Sequence, residues 1–156
     1  MNKKIGNVSL LTLILEGCAL LMGALFLFMF LGRFIYVDVN ADIFGSGKAE
    51  LIGNDLAFGD YAKGGVTTTW VLALLAVIAS CAACVLSFVK APKICLVAAN
   101  GLAGLLLLVA AIMVFCTVPM AEADGWQLGV GAIFAGIFGI IGAVAACGAS
   151  FFTFKK

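Results

Sequence analysis

The chain has 156 residues, of which 65% are hydrophobic and 11% charged, with a formal net charge of +1. A soluble domain is about 45–50% apolar and about a quarter charged, and a small domain cannot hide so much apolar surface from water, so lipid is the expected solvent; mean hydropathy is +1.24. The near-neutral net charge selects no partner, and the chain lacks the basic, aromatic-interleaved tract that nucleic acid needs. The absence of histidine removes imidazole metal ligands and histidine acid–base chemistry.

Four apolar stretches follow in chain order, at about residues 8–36, 68–89, 94–118 and 128–152. Each supplies the roughly 20 residues a helix needs to span hydrocarbon. The first is too long for a signal-peptide core, and no A-x-A-like site follows it, so it reads as a retained helix. The expected fold is an all-α integral membrane protein, one domain over residues 1–156, with four antiparallel transmembrane helices. The short turn Lys90-Ala91-Pro92-Lys93 makes the second and third helices antiparallel neighbours.

Charge sets the expected orientation. Lys3, Lys4, Lys90, Lys93, Lys155 and Lys156 flank the helices on one side. Asp38, Asp42, Glu50, Asp55, Asp60, Glu122 and Asp124 gather on the other, with Lys48, Lys63 and Arg33. The positive-inside rule then predicts both termini in the cytoplasm, and Tyr36, Trp70 and Trp126 fall where an outer aromatic belt would lie. The opening Met1-Asn2-Lys3-Lys4, without an organelle signal, is expected of a bacterial plasma membrane.

The segment at about residues 37–66 is the one sizeable extracellular loop. Tyr36-Val37-Asp38-Val39-Asn40 alternates polar and apolar, and Ala49-Glu50-Leu51-Ile52 is a candidate pairing partner across Gly45-Ser46-Gly47. A β-hairpin with Leu56, Ala57 and Phe58 as its anchor and a solvated irregular loop both fit this pattern.

Glu16 is the ionisable side chain set deep in an apolar segment. A carboxylate at membrane depth costs about 2.5–3.5 kcal/mol or more, so it must be protonated, paired or facing a wet cavity. It lies about eight residues in from Val8, or roughly 12 Å, level with Asn100 in the third helix. Ser9, Thr12, Glu16, Ala19 and Gly23 share one face. Two uses follow: an ion or proton site, or a hydrogen-bonded clasp with Asn100 or with the hydroxyls of Ser80 and Thr12.

Leu15-Glu16-Gly17 in the first of four short helices resembles the small multidrug transporters. That resemblance covers one helix and implies a coupling role for Glu16 in an oligomeric transporter. The long outer loop departs from that family, as does the placing of Phe26, Phe28, Phe30 and Phe34 toward the outer side. The topology is also similar to the claudin-type tetraspan arrangement, without that family's Trp and paired-Cys signature in the first loop.

Small residues recur at spacings of three and four on the second helix (Thr69, Ala73, Ala76, Ser80, Ala83, Ser87) and on the fourth (Ala132, Gly136, Gly139, Ala143, Ala146, Ser150). Such seams let helix backbones approach closely, within this chain or between two copies. Cys81-Ala82-Ala83-Cys84 matches C-x-x-C but lies in an apolar helix with no cation beside it in sequence. Gly45-Ser46-Gly47-Lys48 lacks the first glycine and the Ser/Thr of a phosphate loop, and the outer acids lack EF-hand spacing. No cofactor, metal or catalytic residue is expected. The sequence favours a non-catalytic scaffold, assembly factor or accessory subunit whose partners are the bilayer and a second copy or another membrane protein; the alternative is a small oligomeric transporter or channel using Glu16.

Overall fold

Ser9 starts the first helix. Its hydroxyl oxygen accepts from the Thr12 N–H at 3.3 Å and lies 2.9 Å from Thr12 Oγ1, so one of the orphan N–H groups at the helix start is satisfied. The computed structural model describes residues 4–5, 8–41, 45–60, 62–89, 91–120 and 125–155. Lys3, Asp42, Lys90, Glu122, Asp124 and Lys156, used above for orientation, lie outside the described residues. Two short strands, β1 (Lys4–Ile5) and β2 (Val8–Ser9), pair antiparallel before α1 (Leu10–Met29). There follow β3 (Arg33–Ala41), β4 (Gly45–Ile52), α2 (Gly53–Phe58), α3 (Gly64–Phe88), α4 (Lys93–Phe115), α5 (Thr117–Met120), β5 (Gln127–Leu128) and α6 (Val130–Phe154).

The helices α1, α3, α4 and α6 are each long and apolar enough to cross a membrane. They form a ring in the order α1, α3, α4, α6, with α1 against α6 as the closing pair and α1 diagonal to α4. One end of this bundle, the termini end, carries the start of α1, the end of α6 and the connection between α3 and α4; the other, the sheet end, carries the strands β3, β4 and β5.

The small-residue seams lie inside the bundle. Ala73, Ala76, Ala83, Ala132 and Ala143 are buried, as are Gly136 and Gly139. A Cβ on Gly139 would stand 2.8 Å from the Ala111 Cβ and 3.0 Å from the Phe26 ring, and one on Gly136 would meet the Phe115 ring. Glycine at these two positions therefore lets α6 lie close against α1 and α4. The opposite face of α6, with Ile133, Ile137, Ile140, Ile141 and Val144, is exposed.

The first apolar segment does not stay helical to residue 36. The helix ends at Met29, and the chain turns through Phe30–Gly32 into β3. Phe34, Ile35, Tyr36 and Val37 are aromatic or β-branched, types that suit a pleated strand. Their apolarity reflects burial at the sheet end rather than contact with lipid: Phe34 and Ile35 are both 0% exposed. Adjacent strand residues normally face opposite sides. Here the register slips between Arg33 and Ile35, and such a bulge re-aims a side chain. Phe34 thereby joins a buried aromatic column with Phe30 and Phe26, ring centroids 4.4 and 5.8 Å apart.

The strands β3 and β4 pair antiparallel, with Tyr36 opposite Glu50 and Val37 opposite Ala49. β5 adds to the other edge of β3, with Ile35 opposite Leu128, so the sheet order is β4-β3-β5. The Tyr36 hydroxyl donates to Gln127 Oε1 at 2.8 Å, and Arg33 pairs with Glu50 at 2.5 Å on the partly exposed rim. In α2, Leu56 and Ala57 are buried while Phe58 stays exposed, edge-on to Trp70 at 4.8 Å. Thr67 Oγ1 donates to Ala57 O at 2.6 Å and ties α2 to α3.

Candidate functional site

The buried face of α1 is Thr12, Glu16, Ala19, Gly23 and Phe26, at spacings of three and four. Glu16 is 1% exposed. Its Oε2 accepts from Ser87 Oγ at 2.7 Å, and its Oε1 accepts from Asn100 Nδ2 at 2.9 Å. Ser87 belongs to the neighbouring helix α3 and Asn100 to the diagonal helix α4. One carboxyl group therefore joins three helices across the bundle, near the end that carries the termini.

Each carboxyl oxygen has one partner, and both partners are neutral side chains. The geometry suits an ionised group accepting two bonds. It equally suits a neutral carboxyl that donates from Oε2 to the Ser87 oxygen, because a hydroxyl both donates and accepts. An ion pair, Arg33–Glu50, lies at the other end of the bundle. Burying a polar group costs free energy unless it is hydrogen-bonded, and here both oxygens are.

Of the four residues singled out from sequence, the structure brings Glu16 and Asn100 together. Thr12 is occupied by Ser9. Ser80 is 2% exposed, and its Oγ has no hydrogen-bond partner. Ser87 stands where Ser80 or Thr12 was expected. The physical reason is the tilt of helical side chains toward the N-terminus of their own helix. The α1 N-terminus lies at the termini end, so the Glu16 side chain reaches toward the α3–α4 turn. It meets Ser87 close to that turn and leaves Ser80 about two turns behind. Ser87 was visible in sequence only as a member of the small-residue stripe; that tilt is the signal that picks it out.

All six cysteines are free thiols, with Cys81 exposed and Cys84 half-buried on the same helix. No group of three or more Cys, Asp or Glu side chains converges among the described residues. A cavity between α4 and α6 is lined by Lys93, Ile94, Val97, Ala98, Thr153 and Phe154 and includes neither Glu16 nor its partners.

Comparison with known proteins gives no match: no family model fits the chain, and no curated protein or solved structure is significantly similar to it.

Proposed function

We propose that this chain is a non-catalytic, four-span protein of the plasma membrane that acts as a scaffold, assembly factor or accessory subunit. Its termini lie in the cytoplasm, and it presents the β3–β4 hairpin outside. The observation that carries this reading is the closed state of Glu16. Both oxygens are hydrogen-bonded to neutral groups inside the bundle, which is how a packing clasp is built. Transport through Glu16 requires a polar path to it, and the next hydroxyl on this face of α3, Ser80, lies beyond Ala83 and makes no hydrogen bond to it.

Orientation rests on charge. Among the described residues, Lys4, Lys93 and Lys155 lie at the termini end, while Asp38, Glu50, Asp55 and Asp60 lie at the sheet end with Arg33, Lys48 and Lys63. Trp70, Trp126 and Tyr36 ring the sheet end, as interfacial aromatics do. A second copy or another membrane protein has the exposed isoleucine face of α6 and the hairpin to dock on.

Cross-linking in the native membrane tests the scaffold reading. A variant with residues 42–44, between β3 and β4 in sequence, exchanged for glycine and serine should lose a specific cross-linked partner while its melting temperature holds. A chain whose cross-links and cellular phenotype are indifferent to the hairpin would contradict it. The alternative, a small oligomeric transporter, draws on the cost of an acid at membrane depth and is separated by ion flux.

A further inference from the structure

The helices α4 and α6 touch backbone to backbone at Gly104, where an added Cβ would meet Ala143 O at 3.2 Å and Cys147 N at 3.3 Å. Nearer the termini, Ser150 Oγ donates to Val97 O at 3.1 Å. Beyond that bond the two helices leave a cavity of about 390 Å³, lined by Lys93, Ile94, Val97, Ala98, Thr153 and Phe154. The one hydroxyl in its wall is committed to its own helix, since Thr153 Oγ1 donates to Ala149 O at 2.8 Å. What remains is an apolar groove with a single ammonium group. It opens outward: Ile94 is 81% and Phe154 80% exposed, and Lys93 and Ala98 are exposed too.

We propose that this groove binds one anionic phospholipid, with an acyl chain along Ile94, Val97, Ala98 and Phe154 and the phosphate on the Lys93 ammonium. The inference rests on the four helices spanning a bilayer and goes beyond the scaffold role. Charge complementarity selects the occupant. The described residues at this end carry Lys4, Lys93 and Lys155, and the acid there, Glu16, is enclosed in the bundle. The same face of a second copy would bring Lys93 toward another Lys93. Bulk lipid tails are as apolar as the groove wall, so the wall by itself favours no lipid over another. Selection falls to the headgroup, which Lys93 reaches by extending its stem along the apolar wall. One lysine near an anionic lipid surface corresponds to about a fivefold preference.

Native mass spectrometry of the full chain with equal amounts of phosphatidylglycerol and phosphatidylcholine of identical chains tests this. The expected result is an approximately fivefold excess of phosphatidylglycerol adduct on the unaltered chain, retained by Lys93→Arg and abolished by Lys93→Gln. Ala98→Trp, which fills the groove from an exposed position, should reduce both adducts. Melting temperatures of the four proteins should agree, because both positions face outward. Equal binding of the two lipids, a preference that survives Lys93→Gln, or displacement of the lipid by inorganic phosphate alone would each overturn the assignment. Ion flux through Glu16, if found, would leave the lipid preference unaltered.

Discussion

Replacing Glu16 by leucine removes both acceptors of the clasp and strands the Ser87 hydroxyl and the Asn100 amide inside the bundle. Interhelical hydrogen bonds in membranes average about 0.6 kcal/mol and reach about 1.7 kcal/mol. Two of them put the loss for Glu16→Leu at about 1–3 kcal/mol. Glu16→Gln behaves differently. Its oxygen still accepts from Asn100, and its amide donates to the Ser87 oxygen, so the change should stay below about 0.5 kcal/mol. Equilibrium unfolding in mixed micelles, titrated with a denaturing detergent, reads both differences directly. A double-mutant cycle with Asn100→Ala should return a coupling of about 0.6–1.7 kcal/mol with Glu16. Glutamine as destabilising as leucine would mean that the charge, not the hydrogen-bond pattern, carries the interaction. A silent leucine would mean that the clasp contributes nothing to stability. Either result refutes the reasoning.

The two serines of α3 should respond oppositely. Ser87→Ala, which breaks one bond to Glu16, should destabilise by about 0.5–1.5 kcal/mol in the same titration. Ser80→Ala removes an unpartnered buried hydroxyl and should be neutral or stabilising by up to about 1 kcal/mol. Gly104→Ala forces a methyl group against the Ala143 carbonyl and the Cys147 backbone and should cost about 1–3 kcal/mol, read as a lowered melting temperature. Arg33→Gln breaks the partly exposed pair with Glu50. It should shift stability by no more than about 1 kcal/mol, with less effect at high salt.

The four long helices were legible because a run of about 20 apolar residues has one common explanation. The ends were harder. Residues 34–37 continue the apolar run of the helix before them, and hydropathy does not separate a lipid-facing turn of helix from a buried strand. The alternation from Tyr36 to Asn40 marked one strand of the hairpin. The third strand, Gln127–Leu128, is two residues long, and its pairing with Ile35 and Tyr36 depends on how α6 docks against α1. The third helix stops at Phe115, before Pro119, and a separate turn of helix, Thr117–Met120, follows. Proline tolerates the first turn of a helix but not its interior.

At the site, depth and helical spacing picked out Glu16 and Asn100 as facing one another. They did not pick out Ser87, because counting residues along the axis places Cα atoms, whereas the contact is made by a side chain that leans a turn toward the α1 N-terminus. Ser80 is the nearer match by Cα depth alone, and its hydroxyl is the one left without a partner. The small-residue stripes were legible as seams. Their partners became visible only in three dimensions, with Gly139 against Ala111 and Phe26, and Gly104 against Ala143 and Cys147.

Ion flux in proteoliposomes tests the scaffold proposal most directly. The unaltered chain and Glu16→Gln are reconstituted at equal density, and proton and alkali-cation movement is followed with a pH-sensitive dye and a potential-sensitive dye. A closed clasp requires both proteins to match empty liposomes. Flux through the unaltered chain that Glu16→Gln abolishes, with abundance and unfolding midpoint unchanged, would contradict the scaffold reading and make Glu16 a transport site.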